Sequence, residues 1–218
     1  MRAPILPDWL RQTFPGERVV RASVACKRCR RGWIPDVERD AMPVLKRLIA
    51  GTPFIVSQQN QGALALWSAK TILTLQAAQA PATFSAAVYR HTFERREPPT
   101  GFRLALGLRP REGGWPYRFA AQGFRASNGR PGLEPTFPGM VIDSYRAGLC
   151  IGHLVIRAAA TFEPCDVQLI GDTIEPATLP IWPLSAPACW PPEDGLVRMT
   201  TFESVFQPEP AALLARAA

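Results

Sequence analysis

Histidine is nearly missing from this chain: His91 and His153 are the only two among 218 residues, and neither has a second histidine at helical metal-site spacing. Histidine-based metal chemistry has little to build on, and both are read as ordinary residues, His153 within an alternating strand between Gly152 and Leu154. The five cysteines are odd in number and mostly far apart, which argues against a disulfide scaffold. No stretch approaches the roughly 20 apolar residues that a membrane helix needs. Met1-Arg2 leads into Pro4, Pro7 and Asp8 rather than into an apolar signal core. The expectation is a cytoplasmic protein with no membrane partner. No internal repeat is visible.

What is present describes a globular chain. At 218 residues, with 47% hydrophobic and 20% charged residues, it is long enough to bury a substantial core. It is read as one continuous unit, with a basic cysteine-bearing segment over 1–50 and a helical and β-rich body over 51–218. Its 23 prolines are about twice the usual share and gather at Pro98-Pro99, Pro131 to Pro138 and Pro176 to Pro192, where they must interrupt helices and central strands. Residues 1–47 hold eleven Lys or Arg against five Asp or Glu, a surplus of six out of the net charge of +7. A basic end on a nearly neutral body suits a surface that meets phosphates or another acidic partner; a merely solubilising arginine-rich surface is the alternative.

Periodicity divides the chain into helices followed by strands. Ile5, Leu6, Trp9 and Leu10 fit a short helix, and the β-branched run from Arg18 to Ala25 a strand. Val37, Ala41, Leu45 and Leu48 share one face of a helix over Asp36 to Ile49, whose charge order suits the helix dipole and which Pro43 should bend or delay. Ser57 is placed to cap a run from Gln58 to Ala80 that is apolar almost all round, the pattern of a buried spine. A further helix is expected over Thr83 to Arg96. From Gly101 the period becomes two, predicting strands over Phe102 to Leu108, Tyr117 to Arg125, Met140 to Tyr145, Leu149 to Arg157 and Val167 to Ile170. Helices segregated from strands predict an α+β fold, with an N-terminal knuckle and helices packed on an antiparallel β-sheet.

The sharpest local feature is Cys26-Lys27-Arg28-Cys29, followed by Arg30-Arg31-Gly32-Trp33. Two cysteines two residues apart across a tight turn can offer both thiolates to one tetrahedral zinc, so Cys26 and Cys29 are the candidate metal ligands. Inert thiols rank second. A redox pair ranks third, because no βαβ unit surrounds the motif, although Lys27 and Arg28 would lower a thiol pKa. Lys27, Arg28, Arg30 and Arg31 are the candidate phosphate contacts, with a solvated turn as the equal alternative.

These residues also carry a resemblance. Cys26-x-x-Cys29-x-x-Gly32-Trp33-Ile34-x-x-Val37-Glu38, the helical Ala41-x-Pro43-x-Leu45, and Leu66-Trp67-x-Ala69-Lys70-Thr71 resemble bacterial proteins related to HNH endonucleases. Such proteins read CxxCN-x-GWM-xx-LE, then a W-A-x-K-T helix, then a β-rich tail with IWP and WPP, matched here by Ile181-Trp182-Pro183 and Trp190-Pro191-Pro192. The resemblance implies a DNA-associated protein. It also implies a histidine and a first CxxC ahead of the P-x-W-L that Pro7-Asp8-Trp9-Leu10 matches. Pro4 stands at the histidine's position, the first CxxC would fall before Met1, and Arg30 replaces the asparagine. An HNH site needs a histidine to activate water and further ligands for a divalent metal. Either the gene starts upstream or the nuclease has been lost.

The expected function is therefore a DNA-associated module of HNH-like descent with no catalytic residues assigned, against a protein-interaction or structural module whose partner is unidentified. An enzyme using Asp143 or Glu163 in a strand-lined pocket has no motif behind it. No cofactor is expected beyond the zinc that Cys26 and Cys29 invite, and two thiolates do not close a tetrahedral site. Purified protein should carry well under one zinc per chain by elemental analysis; stoichiometric zinc that disappears on Cys26→Ser would overturn this.

Overall fold

A computed structural model describes residues 3–4, 6–13, 21–22, 27–79, 84–108, 117–126, 133–135, 144–161 and 178–191. Near the start, the two-residue strands β1 (Ala3–Pro4) and β2 (Arg21–Ala22) pair antiparallel on either side of the short helix α1 (Asp8–Thr13). Two consecutive helices follow, α2 (Lys27–Arg31) and α3 (Trp33–Ile49). Helix α3 starts ahead of the expected Asp36 and continues through Pro43, which faces solvent. Its buried residues Val37, Ala41, Val44, Leu45, Leu48 and Ile49 lie on both sides of that proline, so burial of one apolar stripe outweighs the missing N–H.

The chain then passes through β3 (Phe54–Val56) into the 22-residue helix α4 (Gln58–Gln79). Ser57 caps it as the sequence predicts, its Oγ accepting from Asn60 N–H at 3.3 Å. From Trp67 to Leu73 seven consecutive residues of α4 are buried, so every face of the helix is covered by protein. The apolar surface running all round the sequence of α4 has this physical meaning. Helix α5 (Ala86–Arg95) is the last helix among the described residues.

The rest is sheet. Strands β4 (Phe102–Leu108), β5 (Tyr117–Ala126), β6 (Leu133–Pro135), β7 (Ser144–Ile151), β8 (Leu154–Thr161) and β9 (Thr178–Trp182) form six antiparallel strands in the order β6-β5-β7-β8-β4-β9. A last strand, β10 (Ala188–Trp190), returns to pair with β3. The fold is α+β, helices packed on an antiparallel sheet. One cluster joins Val37, Leu45 and Leu48 of α3, Leu64, Trp67 and Leu75 of α4, and Leu106, Leu149 and Ile156 of the sheet.

Strands β7 and β8 correct the expected register. The predicted strands ended at Tyr145 and resumed at Leu149, putting a turn at Gly148. The turn instead lies at Gly152-His153, with Ile151 paired to Leu154 and Gly152 at φ 57°. A two-residue hairpin loop wants a positive φ at its first position, which Gly152 adopts freely. His153 is therefore a turn residue, not the strand residue expected. The expected strand over Val167 to Ile170 lies outside the described residues, as do 18–20 and 23–25 of the run from Arg18 to Ala25.

At the sheet edge, Leu104 pairs with Trp182 but Ala105 with Pro180, so β9 carries an extra residue at Ile181. Among the described residues β9 is an edge strand, the position in a sheet where a bulge and a proline such as Pro180 are tolerated. The bonds Trp182–Pro183 and Trp190–Pro191 are cis. Trp67 is fully buried in the centre of α4. Trp67→Ala should cost on the order of 3–5 kcal/mol in denaturant unfolding, the range for a large core deletion; a loss below about 1 kcal/mol would misplace the core.

Candidate functional site

The basic knuckle is a helical corner rather than the tight turn expected. Residues 27–31 complete one turn of helix, and Gly32 joins α2 to α3 with its N–H donating to Arg28 O at 3.0 Å. A Cβ at Gly32 would lie 3.0 Å from that same carbonyl oxygen, so the corner closes tightly because the residue has no side chain. Helical spacing then sorts the cations. Lys27 and Arg31, one turn apart, and Arg28 beside them are exposed, while Cys29 and Arg30 are half-buried and Arg30 Nε is shielded from solvent. No carboxylate among the described residues lies within ion-pair distance of Lys27, Arg28 or Arg31. Cys26 lies outside the described residues, and Cys29 forms no disulfide. Among the described residues no three His, Cys, Asp or Glu side chains converge as a metal site would require.

Tertiary structure adds a cation that the sequence reading missed. Trp33 opens α3 and meets Phe93 of α5 edge-on, ring centroids 5.9 Å apart. Over both rings lies the Arg96 guanidinium, 5.0 Å from the Trp33 centroid and 5.2 Å from that of Phe93. Arg96 ends α5 in the left-handed conformation, φ 59° and ψ 38°, its N–H bonded to Thr92 O. Glycine takes this cap position at no steric cost, whereas a side chain there costs about 1–2 kcal/mol. The stacking partly offsets that cost and holds the guanidinium at the corner formed by α2 and α3. The signal was present in the Arg95-Arg96-Glu97-Pro98 helix ending, but nothing local says which aromatic ring the arginine will meet.

Glu38 of the cysteine-bearing segment and Lys70 of the Leu66 to Thr71 segment meet in the core. Lys70 Nζ donates to Glu38 Oε1 at 2.9 Å, joining α4 to α3, with the lysine side chain 3% and the glutamate 22% exposed. The ammonium also lies 5.5 Å from the centre of the Trp67 ring. Burial lowers the Lys70 pKa from its usual value, and the charge and hydrogen bond of Glu38 oppose that without cancelling it. Gln61 makes a second tie: its Oε1 accepts from Ser185 N–H at 2.8 Å and its Nε2 donates to Ala186 O at 3.0 Å. The segment between Trp182-Pro183 and Trp190-Pro191 is thereby held on α4, and Trp190 is 1% exposed, burying a large aromatic area. A third tie links the end of α4 to the sheet, where Tyr145 Oη donates to Gln76 Oε1 at 3.0 Å. Burial raises the Tyr145 hydroxyl well above its usual pKa and moves Tyr89 to about 12.

A cleft of about 340 Å³ opens beside the end of α5, with His91, Glu97, Arg103, Trp182 and Pro183 in its walls. His91 Nε2 lies 3.3 Å from Glu97 Oε1. Asp143 and Glu163, the carboxylates with no motif behind them, lie outside the described residues. Among the described residues no helix is long and apolar enough to cross a membrane. Set beside known proteins, the chain matches no family model, no curated protein and no solved structure.

The Glu38–Lys70 pair makes a sharp test of the core. Glu38→Gln strands a buried ammonium and should cost on the order of 3 kcal/mol, whereas Glu38→Gln with Lys70→Met should recover most of the loss. The folded-state pKa of Lys70 lies below the unfolded value of 10.5, so between the two the unfolded chain binds more protons and stability rises with pH. Urea unfolding of Glu38→Gln at increasing alkaline pH should show that rise, which levels off only above the unfolded value of 10.5, where both states are deprotonated. A loss independent of pH would mean that Lys70 has another counter-charge.

Proposed function

We propose that the chain is a nucleic-acid-associated protein of HNH-like descent, without an intact catalytic site, that contacts phosphates through its basic corner. The observation that carries this is the grouping of Lys27, Arg28 and Arg31 on the exposed side of α2, with no carboxylate in ion-pair range among the described residues, together with Arg96 held at the same corner by Trp33 and Phe93. A surface meant only for solubility has no need of an arginine in a costly backbone conformation. Arginine forks suit phosphate oxygens, and a guanidinium stacked on its face keeps its edge donors available for them. Arg30, counted with this group from the sequence, is half-buried and has a lesser part. The one-turn helix α2 is too short to lie in a groove as a recognition element, so contact is to backbone phosphates and nearly independent of sequence.

The experiment is a titration against duplex and single-stranded DNA across a range of salt. Released counterions make log affinity fall linearly with log salt, by about 0.9 per duplex phosphate neutralised. Lys27→Gln, Arg28→Gln and Arg31→Gln combined with Arg96→Gly should reduce that slope by roughly 3 to 4. Glycine at position 96 retains the left-handed cap, so the variant should fold normally. No complex at low salt, or one unchanged by the four substitutions, would remove this reading in favour of a protein-interaction or structural role.

A further inference from the structure

The end of α5 has two sides. Phe93 and Arg96 face Trp33 at the basic corner, while His91 and Glu97 line the cleft. Arg96 and Glu97 are consecutive, so corner and cleft flank one short stretch of chain. The cleft joins two chemistries. Trp182, half-buried, and Pro183 supply an apolar wall, and the bulge in β9 falls immediately before that tryptophan. Bulges of this kind re-aim a side chain next to a site. The His91–Glu97 pair and Arg103, an exposed residue of β4, also line the cleft. A volume of about 340 Å³ is at the small end of the range for ligand clefts.

We infer that this cleft is a nucleotide subsite, taking the base of one nucleotide against Trp182 and Pro183 with its phosphate toward Arg103. The flat indole suits any base, because every base offers a π-face, and arginine suits the phosphate that accompanies it. Glu97 cannot attract the phosphate, and its role follows from its chemistry: tied to His91, it accepts from an amino group or a sugar hydroxyl and sets the orientation of the ring. This inference rests on the phosphate-binding reading of the corner, because the two sites adjoin and together give a phosphate track that ends in a stacking platform. The chemistry recognised is a phosphorylated base, whether a free nucleotide or an unpaired nucleotide within a strand.

The test uses the full chain, with AMP, ribose 5-phosphate and a short unpaired oligodeoxyadenylate as probes, followed by calorimetry and by NMR line broadening of the ligand. AMP should bind saturably, and ribose 5-phosphate, which has no base to stack, about tenfold more weakly or worse. Trp182→Leu keeps apolar bulk in the wall but removes the stacking face, and should weaken AMP by roughly tenfold. Arg103→Gln, on an exposed strand position, should weaken AMP without disturbing the fold if the tryptophan variant proves unstable. The four-residue corner variant should retain AMP binding, so loss of the corner and loss of the cleft are told apart. Oligonucleotide binding weakened by Trp182→Leu assigns the base to a strand; an effect on AMP alone assigns it to a free nucleotide. Absence of saturable AMP binding, equal binding of ribose 5-phosphate, or AMP binding indifferent to both cleft variants overturns the subsite.

Discussion

The structure depends on covering α4 from every side. An isolated helix needs only one apolar stripe, but α4 is buried without interruption from Trp67 to Leu73, so α3, the sheet and the returning segment before β10 must all close around it. Several long polar side chains inside this enclosure find partners within the protein, which offsets the cost of burying them. Gln61, Lys70 and Gln76 mark the places where this happens. Each reaches a different neighbour: the segment at Ser185 and Ala186, Glu38 of α3, and Tyr145 of β7. They fix how each layer sits on the central helix, which apolar packing alone would leave looser.

That arrangement also positions the proposed sites, although neither is part of the core. Helix α3 is held on α4 by Glu38 and Lys70, and Trp33 at its start receives Phe93 and Arg96 from α5. The corner cations are therefore presented from a braced helix pair rather than from a loop. The cleft uses the same support from the other direction. Its tryptophan wall belongs to β9, on which the segment pinned by Gln61 follows directly. A rigid frame beneath charged and aromatic side chains lowers the ordering entropy lost when a ligand is met.

Legibility in the sequence varied with the range of the interaction. The face of α3 carrying Val37, Ala41, Leu45 and Leu48, the Ser57 cap, the extent of α4 and the bounds of β4 all follow from local periodicity and cap chemistry, and the structure shows them as expected. Gly148 and Gly152 are both acceptable breaks by local signal, so sequence pattern alone does not place the turn between β7 and β8. Pairing across the hairpin, not the local signal, selects Gly152. Cysteine spacing suggests a turn at the CxxC segment, whereas residues 27–31 form one helical turn against Gly32.

The sequence by itself determined the class of fold, the central helix, and a basic N-terminal segment. These properties are local or compositional, and need no partner to be defined. Only the tertiary structure decided that Glu38 neutralises Lys70, that Arg96 joins the corner through Trp33, and that His91 and Glu97 of the α5 end share a cleft with Trp182 of β9. Each of these brings together residues between about thirty and ninety positions apart in the sequence. Contacts at such separations are set by how helices and strands close around α4, a constraint that no short stretch of sequence contains.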